Sequence, residues 1–170
     1  MAIENELKYV LPLTFNKQAL AGWKFIPVRQ GYLDNGPRIR QYGEQYLFTY
    51  KRWIAAEKKL VEIETEISKL DFDRLWPECE IVLDKHRYVL IDGAYEWSVD
   101  FLLAESGQTY FVMAEVEMPE NEKAPPSIPS AIENDIFFSP AQDDVRFTNI
   151  KLADQKFAAT LLKELGYPAP

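Results

Sequence analysis

Lys-Leu-Val-Glu-Ile-Glu-Thr-Glu-Ile, residues 59–67, sets Glu62, Glu64 and Glu66 two apart, with Val61, Ile63 and Ile67 at alternate positions. Side chains along a strand point to opposite faces in turn, so this stretch reads as a β-strand with one acidic and one apolar face. Working outward, the same alternation predicts strands over about 2–11, 25–33, 37–42, 45–53, 80–91, 95–103 and 109–118. The turn signals Asp34-Asn35-Gly36, Tyr42-Gly43-Glu44, Asp92-Gly93 and Ser106-Gly107 fall between these stretches and imply hairpins. Helical pattern is scarce: a short segment near Asn16 to Gly22, one capped by Ser68 and stopped by Pro77, and one from Asp154 to Leu165. The stretch Pro119 to Pro129 is rich in Pro and Glu and reads as a loop. The expected class is α+β, dominated by antiparallel strands.

Residues two apart share a face, which assigns the charges. Glu4, Glu6 and Lys8 fall together, with Ile3, Leu7 and Tyr9 in the other set. Arg38 and Arg40 flank Ile39, Lys51 opposes Tyr46, Phe48 and Tyr50, and Lys85 and Arg87 share a face. Glu96, Ser98 and Asp100 oppose Trp97, Val99 and Phe101, while Glu115 and Glu117 oppose Ala114, Val116 and Met118. A half-solvated sheet also alternates polar with apolar. Here, however, the signs separate: bases gather on 37–42, 45–53 and 80–91, acids on 59–67, 95–103 and 109–118. Like charges repel, so such segregation calls for an anion at the bases and a cation at the acids. Hard cations such as Mg²⁺ take carboxylate oxygens together with substrate phosphates, a role open to Glu4, Glu6, Asp100, Glu115 and Glu117. Arginine forks and lysine point charges suit the oxygens of a triphosphate, a role open to Lys8, Arg38, Arg40, Lys51, Lys85 and Arg87.

Composition bounds the rest. At 170 residues and 47% hydrophobic, residues 1–170 suit a single domain with its own core. The one cysteine, Cys79, allows no internal disulfide, and no Cys/His cluster has zinc-site spacing, so a reducing, cytoplasmic compartment is expected. The start MAIENELKYV lacks the basic and apolar regions of a signal peptide, and no apolar run approaches the roughly 20 residues a membrane helix needs. A net charge of −8 argues against nucleic acid as a partner.

Glu4-Asn5-Glu6-Leu7-Lys8 resembles the Glu-x-Glu-x-Lys strand of the CYTH superfamily, the triphosphate tunnel metalloenzymes. The order of the later motifs strengthens the resemblance: Gln30-Gly31-Tyr32-Leu33, Arg38-Ile39-Arg40, Thr49-Tyr50-Lys51, Glu62-Ile63-Glu64, Lys85-His86-Arg87-Tyr88, Trp97-Ser98-Val99-Asp100, Ala114-Glu115-Val116-Glu117 and Arg146-Phe147-Thr148-Asn149. It implies an eight-stranded antiparallel closed β-tunnel with a charged interior and helices packed on the outside. It implies metal ligation by Glu4, Glu6, Asp100, Glu115 and Glu117 with Mg²⁺ or Mn²⁺, and phosphate binding by Lys8, Arg38, Arg40, Lys51, Lys85 and Arg87. Glu62 and Glu64 match tunnel-facing acids expected to hold a second metal or orient the bases; for hydrolysis, Lys85 or a neighbouring base is the candidate to protonate the leaving oxygen. Asn5, Leu7 and Ser98 depart from the usual pattern, Ser98 standing where a Glu commonly precedes the Asp.

The implied activity is metal-dependent hydrolysis of the terminal phosphoryl group of inorganic triphosphate, ATP or thiamine triphosphate. The rivals are a class IV adenylate cyclase and a non-catalytic polyphosphate- or nucleotide-binding protein. The resemblance also raises a homodimer. His86, between Lys85 and Arg87, is expected to point away from the charged face, and Cys79 to serve packing. The aromatics, 14% of the chain, are expected mostly under the helices.

Overall fold

The computed structural model describes residues 2–34 and 36–168 of the chain. Asn35, within the Asp34-Asn35-Gly36 turn signal, lies outside the described residues. The strands are β1 (Ala2–Ile3), β2 (Glu6–Leu11), β3 (Lys24–Tyr32), β4 (Arg38–Tyr42), β5 (Gln45–Ile54), β6 (Lys59–Glu66), β7 (Ile81–Asp92), β8 (Tyr95–Leu103) and β9 (Thr109–Glu117). They form one antiparallel sheet in the order β1-β6-β5-β4-β3-β7-β8-β9-β2.

The expected 2–11 strand is therefore two. Ala2 and Ile3 pair with Glu62 and Val61 of β6, whereas Glu6 to Leu11 pair with β9, from Glu6 opposite Glu117 to Leu11 opposite Val112. The break falls at Glu4 and Asn5, and the Asn5 side chain explains it. Nearly buried, it donates to the carbonyls of Pro119 (2.7 Å) and Glu122 (2.9 Å) and accepts from Gln142 (2.7 Å). The expectation of eight strands in a closed tunnel is corrected accordingly: the sheet has nine strands and its ladder is open, with β1 and β2 as edges. Because one short segment supplies both edges, the sheet curls until they approach each other.

The two faces pack differently. On the outer face Tyr9, Trp97, Val99, Phe101, Val112, Ala114 and Val116 form a core with Leu20 of a 3₁₀ turn (Lys17–Leu20) and Ile132 of α2 (Ser130–Glu133). Also outside, Phe72 of α1 (Lys69–Leu75) meets Tyr46, with ring centroids 5.1 Å apart. A second core forms on the inner face, at one end of the strands. There Val10, Leu83, Leu102, Phe111 and Met113 pack against Phe147, Leu152 of α3 (Asn149–Leu152), and Leu161 and Leu162 of α4 (Gln155–Glu164). Each of these strand residues lies two positions from, or on the parity of, a charged inward residue: Val10 from Lys8, Leu83 from Lys85, Leu102 from Asp100, Met113 from Glu115. The expectation of helices only on the outside is thus corrected, since α3 and α4 stop one end of the concave face. Each large apolar side chain so buried contributes about 1.5–3 kcal/mol. No described helix is long and apolar enough to cross a membrane.

Candidate functional site

Strand parity gathers the inward side chains around one cavity of about 1960 Å³. Lys8 comes from β2, Arg38 and Arg40 from β4, Lys51 from β5, and Lys85 and Arg87 from β7; all six line it. So do Glu4, Glu6, Glu62, Glu64, Glu115 and Glu117. Asp100 does not reach the cavity: it is 0% exposed and lies behind the β7 bases. His86 points to the outer face, where Phe25 packs edge-on against it at 5.2 Å. Cys79 fills the space left by Gly31, where an added Cβ would collide with its Sγ.

Charges that are segregated by strand meet across strands. Arg38 donates to Glu62 at 3.3 Å and to the Thr49 hydroxyl at 3.3 Å. Arg40 donates to Glu64 at 2.9 Å, and Glu64 also lies 3.7 Å from Arg38 and accepts from Thr49 at 2.8 Å. Glu64 and Thr49 together hold the two guanidiniums side by side, while Nε of each, although buried, has no hydrogen-bond partner. Burial, and then the Arg38 charge, pull Arg40 down to about 10, so it stays charged at neutral pH. Lys51 bonds Glu4 at 2.5 Å and Lys8 bonds Glu6 at 2.6 Å.

On the opposite wall Asp100 accepts from Arg87 through both oxygens (2.7 Å each) and from Lys85 at 2.5 Å. Burial pushes its carboxyl up, but the Arg87 and Lys85 charges outweigh that and hold it well below the usual carboxylate range. Burial also weighs on Lys85. With the Arg87 charge beside it, its ammonium is brought down to about 8 against the pull of Asp100 and Glu115. Lys85 further reaches Asn149 Oδ1 at 3.4 Å, tying the wall to α3.

At the other end the acids are less well matched. Glu96 lies opposite Glu117 in the β8–β9 ladder, and Glu117 lies opposite Glu6 in the β9–β2 ladder. Burial, then Glu96, Glu4, Glu62 and Glu6, raise the Glu117 carboxyl. Glu4 Oε2 is buried without a partner. Hard oxygen donors and an orphaned carboxylate oxygen fit a divalent cation such as Mg²⁺ or Mn²⁺. Among the described residues no three such side chains already converge on one point.

Sequence reasoning placed Glu96 on the inward face without giving it a ligand role, and it gave Thr49 and Asn149 none. Parity was a signal for Glu96 and for Thr49, two residues from Lys51. Nothing in the sequence places Asn149 beside Lys85.

No model of a known protein family matches the chain, and no curated protein matches it. Among solved structures it is similar to a conserved hypothetical protein from Pyrococcus furiosus, with TM-score 0.51 and 15% identity over 97% of this chain and 91% of that one. It is also similar to a candidate adenylate cyclase from Bacillus halodurans (TM-score 0.47, 14% identity, 99% and 92% covered). A third is a chain of the Schizosaccharomyces pombe Mediator head module (TM-score 0.47, 13% identity, 96% of each chain). The first of these likenesses is one of fold: a curled antiparallel sheet with few helices.

Proposed function

We propose that the cavity binds a triphosphate-bearing small molecule with Mg²⁺ or Mn²⁺ and hydrolyses its terminal phosphoryl group. On this reading the chain is a cytoplasmic triphosphate tunnel metalloenzyme of the CYTH type, its substrate being inorganic triphosphate, ATP or thiamine triphosphate. The observation that carries it is the convergence of Lys8, Arg38, Arg40, Lys51, Lys85 and Arg87 on one cavity, where Glu96 and Glu117 face each other with no bonded cation among the described residues. The ordered resemblance of the sequence motifs supports it.

The chain's own residues would act mainly by positioning, which is most of what phosphoryl transfer asks of a protein. Arg38 and Arg40, held side by side by Glu64 and Thr49, present paired donors to phosphate oxygens, and Lys8 and Lys51 add point charges. An entering phosphate chain takes over donors now shared with Glu62 and Glu64. Lys85, at about 8, has a proton it can give to the leaving oxygen near neutral pH, and Asp100 keeps it oriented. Glu4, Glu6, Glu115 and Glu117 would hold the metal, which when bound stabilises charge on phosphate oxygens and favours ionisation of water.

The test is incubation with inorganic triphosphate and with ATP, each with Mg²⁺, Mn²⁺ or EDTA, followed by chromatography of the products. Metal-dependent release of phosphate from triphosphate is expected. Cyclic AMP from ATP would assign a cyclase instead, and binding without product in every condition would assign a binding protein.

A further inference from the structure

Two carboxylates of the site are in positions that the motif pattern does not anticipate. Asp100, the acid of Trp97-Ser98-Val99-Asp100, has both oxygens engaged by Lys85 and Arg87 and no exposed surface. An ion reaching it would have to displace a buried ammonium and a guanidinium. Glu96 lies four residues earlier on the same inward face and lines the cavity. The two ladders set Glu96, Glu117 and Glu6 in one transverse row across β8, β9 and β2.

Like charges directly opposite each other across strands are destabilising. Lys8 meets one oxygen of Glu6, but among the described residues no cation bonds Glu96 or Glu117. A second, separate observation comes from across the gap between the sheet edges. Glu4, its side chain 9% exposed, lines the same cavity with Oε2 unpartnered while Oε1 bonds Lys51. A facing pair of carboxylates without a bonded cation, Glu96 and Glu117, and an orphaned buried carboxylate oxygen in the same cavity call for an external cation.

The geometry points to Glu96 as a ligand of that divalent cation, beside Glu117 in the ladder and in the same cavity as the free oxygen of Glu4, while Asp100 serves Lys85 and Arg87 as their counter-ion. The inference rests on the reading of the cavity as a metal–triphosphate site and deepens it. Between Glu96 and Asp100 on the same face, Ser98 offers only a hydroxyl, so Glu96 is the carboxylate of β8 that reaches the cavity. Ser98 itself is nearly buried, opposite Glu115.

The experiment is titration of the purified protein with Mn²⁺ alone, read by the electron paramagnetic resonance signal of the free ion, on wild type, Glu96→Gln and Asp100→Asn. Glu96→Gln is expected to weaken Mn²⁺ binding by about tenfold or more, a loss of ~1.4 kcal/mol, with Asp100→Asn staying close to wild type. Wild-type affinity in Glu96→Gln, or a larger loss in Asp100→Asn, overturns the inference and leaves the triphosphatase reading standing. A wild-type protein that binds no Mn²⁺ overturns the inference, and metal-dependent phosphate release from triphosphate then decides the triphosphatase reading separately. Should Asp100→Asn fail to fold, Glu96→Gln decides the matter by itself.

Discussion

Thr49 is 1% exposed, yet it governs an open surface: its hydroxyl gives its proton to Glu64 and accepts from Arg38, so it sets how two arginines present themselves to the cavity. Thr49→Val keeps the shape and removes both bonds. KM for inorganic triphosphate is expected to rise about fivefold to a hundredfold, the ~1–3 kcal/mol of unmade buried hydrogen bonds, with Mn²⁺ affinity unchanged and Thr49→Ser restoring binding. Steady-state kinetics with a parallel Mn²⁺ titration checks this. Lys85 makes a second prediction. Its proton leaves near pH 8 in the folded protein, against the ordinary 10.5. Triphosphate affinity should therefore fall as pH rises through about 8, and this dependence should vanish in Lys85→Met. The same shift has the opposite sign for stability: between these two values the unfolded chain binds the proton and the folded one does not, so this group's contribution rises with pH. Isothermal titration at pH 6.5 and 9 measures the binding side. Which residues face inward was legible in the sequence because parity follows from strand geometry alone. Pairing was not: the strand order brings Glu64 to Arg38 and Arg40, and Asp100 to Lys85, so bases assigned to a ligand already share carboxylates.

At the scale of elements, the hairpins and their turns were legible to within a residue or two, and so were the helices with a capping signal. Ser68 accepts from Asp71 N ahead of α1, and Asp154 accepts from Lys156 N and Phe157 N ahead of α4. Asp154→Ala is expected to cost about 1 kcal/mol and lower Tm by roughly 2–4 °C, as calorimetry would show. The segments 130–133, 145–147 and 149–152 were not anticipated. Each is only three or four residues long, too short to have a period, and tertiary contacts hold it. Phe147 shows how much such a segment contributes. It is fully buried against Phe138, with ring centroids 5.7 Å apart, within the core that stops one end of the concave face. Phe147→Ala should cost about 3–5 kcal/mol in denaturant unfolding, and that core is the site of the loss. The placement of α3 and α4 on the charged face was hidden for a related reason: each strand changes from charged to apolar along one face, and face parity does not say where.

For the molecule as a whole, the cores are apolar and lie on both faces of the sheet, and neither includes Glu96 or Glu117. EDTA should therefore lower Tm only slightly, by the linkage of a weakly held cation, whereas Mg²⁺ with triphosphate should raise it, by the ~2.7 kcal/mol that ligand at a hundred times Kd contributes. An EDTA-induced fall of several degrees would mean that a metal helps hold the fold together. The curl of the sheet was harder to read than its strands, because the two ends of one segment go to different partners: Ala2 opposite Glu62, Glu6 opposite Glu117. That arrangement governs the order of events on the ribosome. Residues 2–11 find their first partner only after β6 has been made and their second only after β9, more than a hundred residues later. Until then β6 and β9 both carry unsatisfied edges, and the nascent protein has two places where a neighbouring chain can pair before residues 2–11 return to cover them.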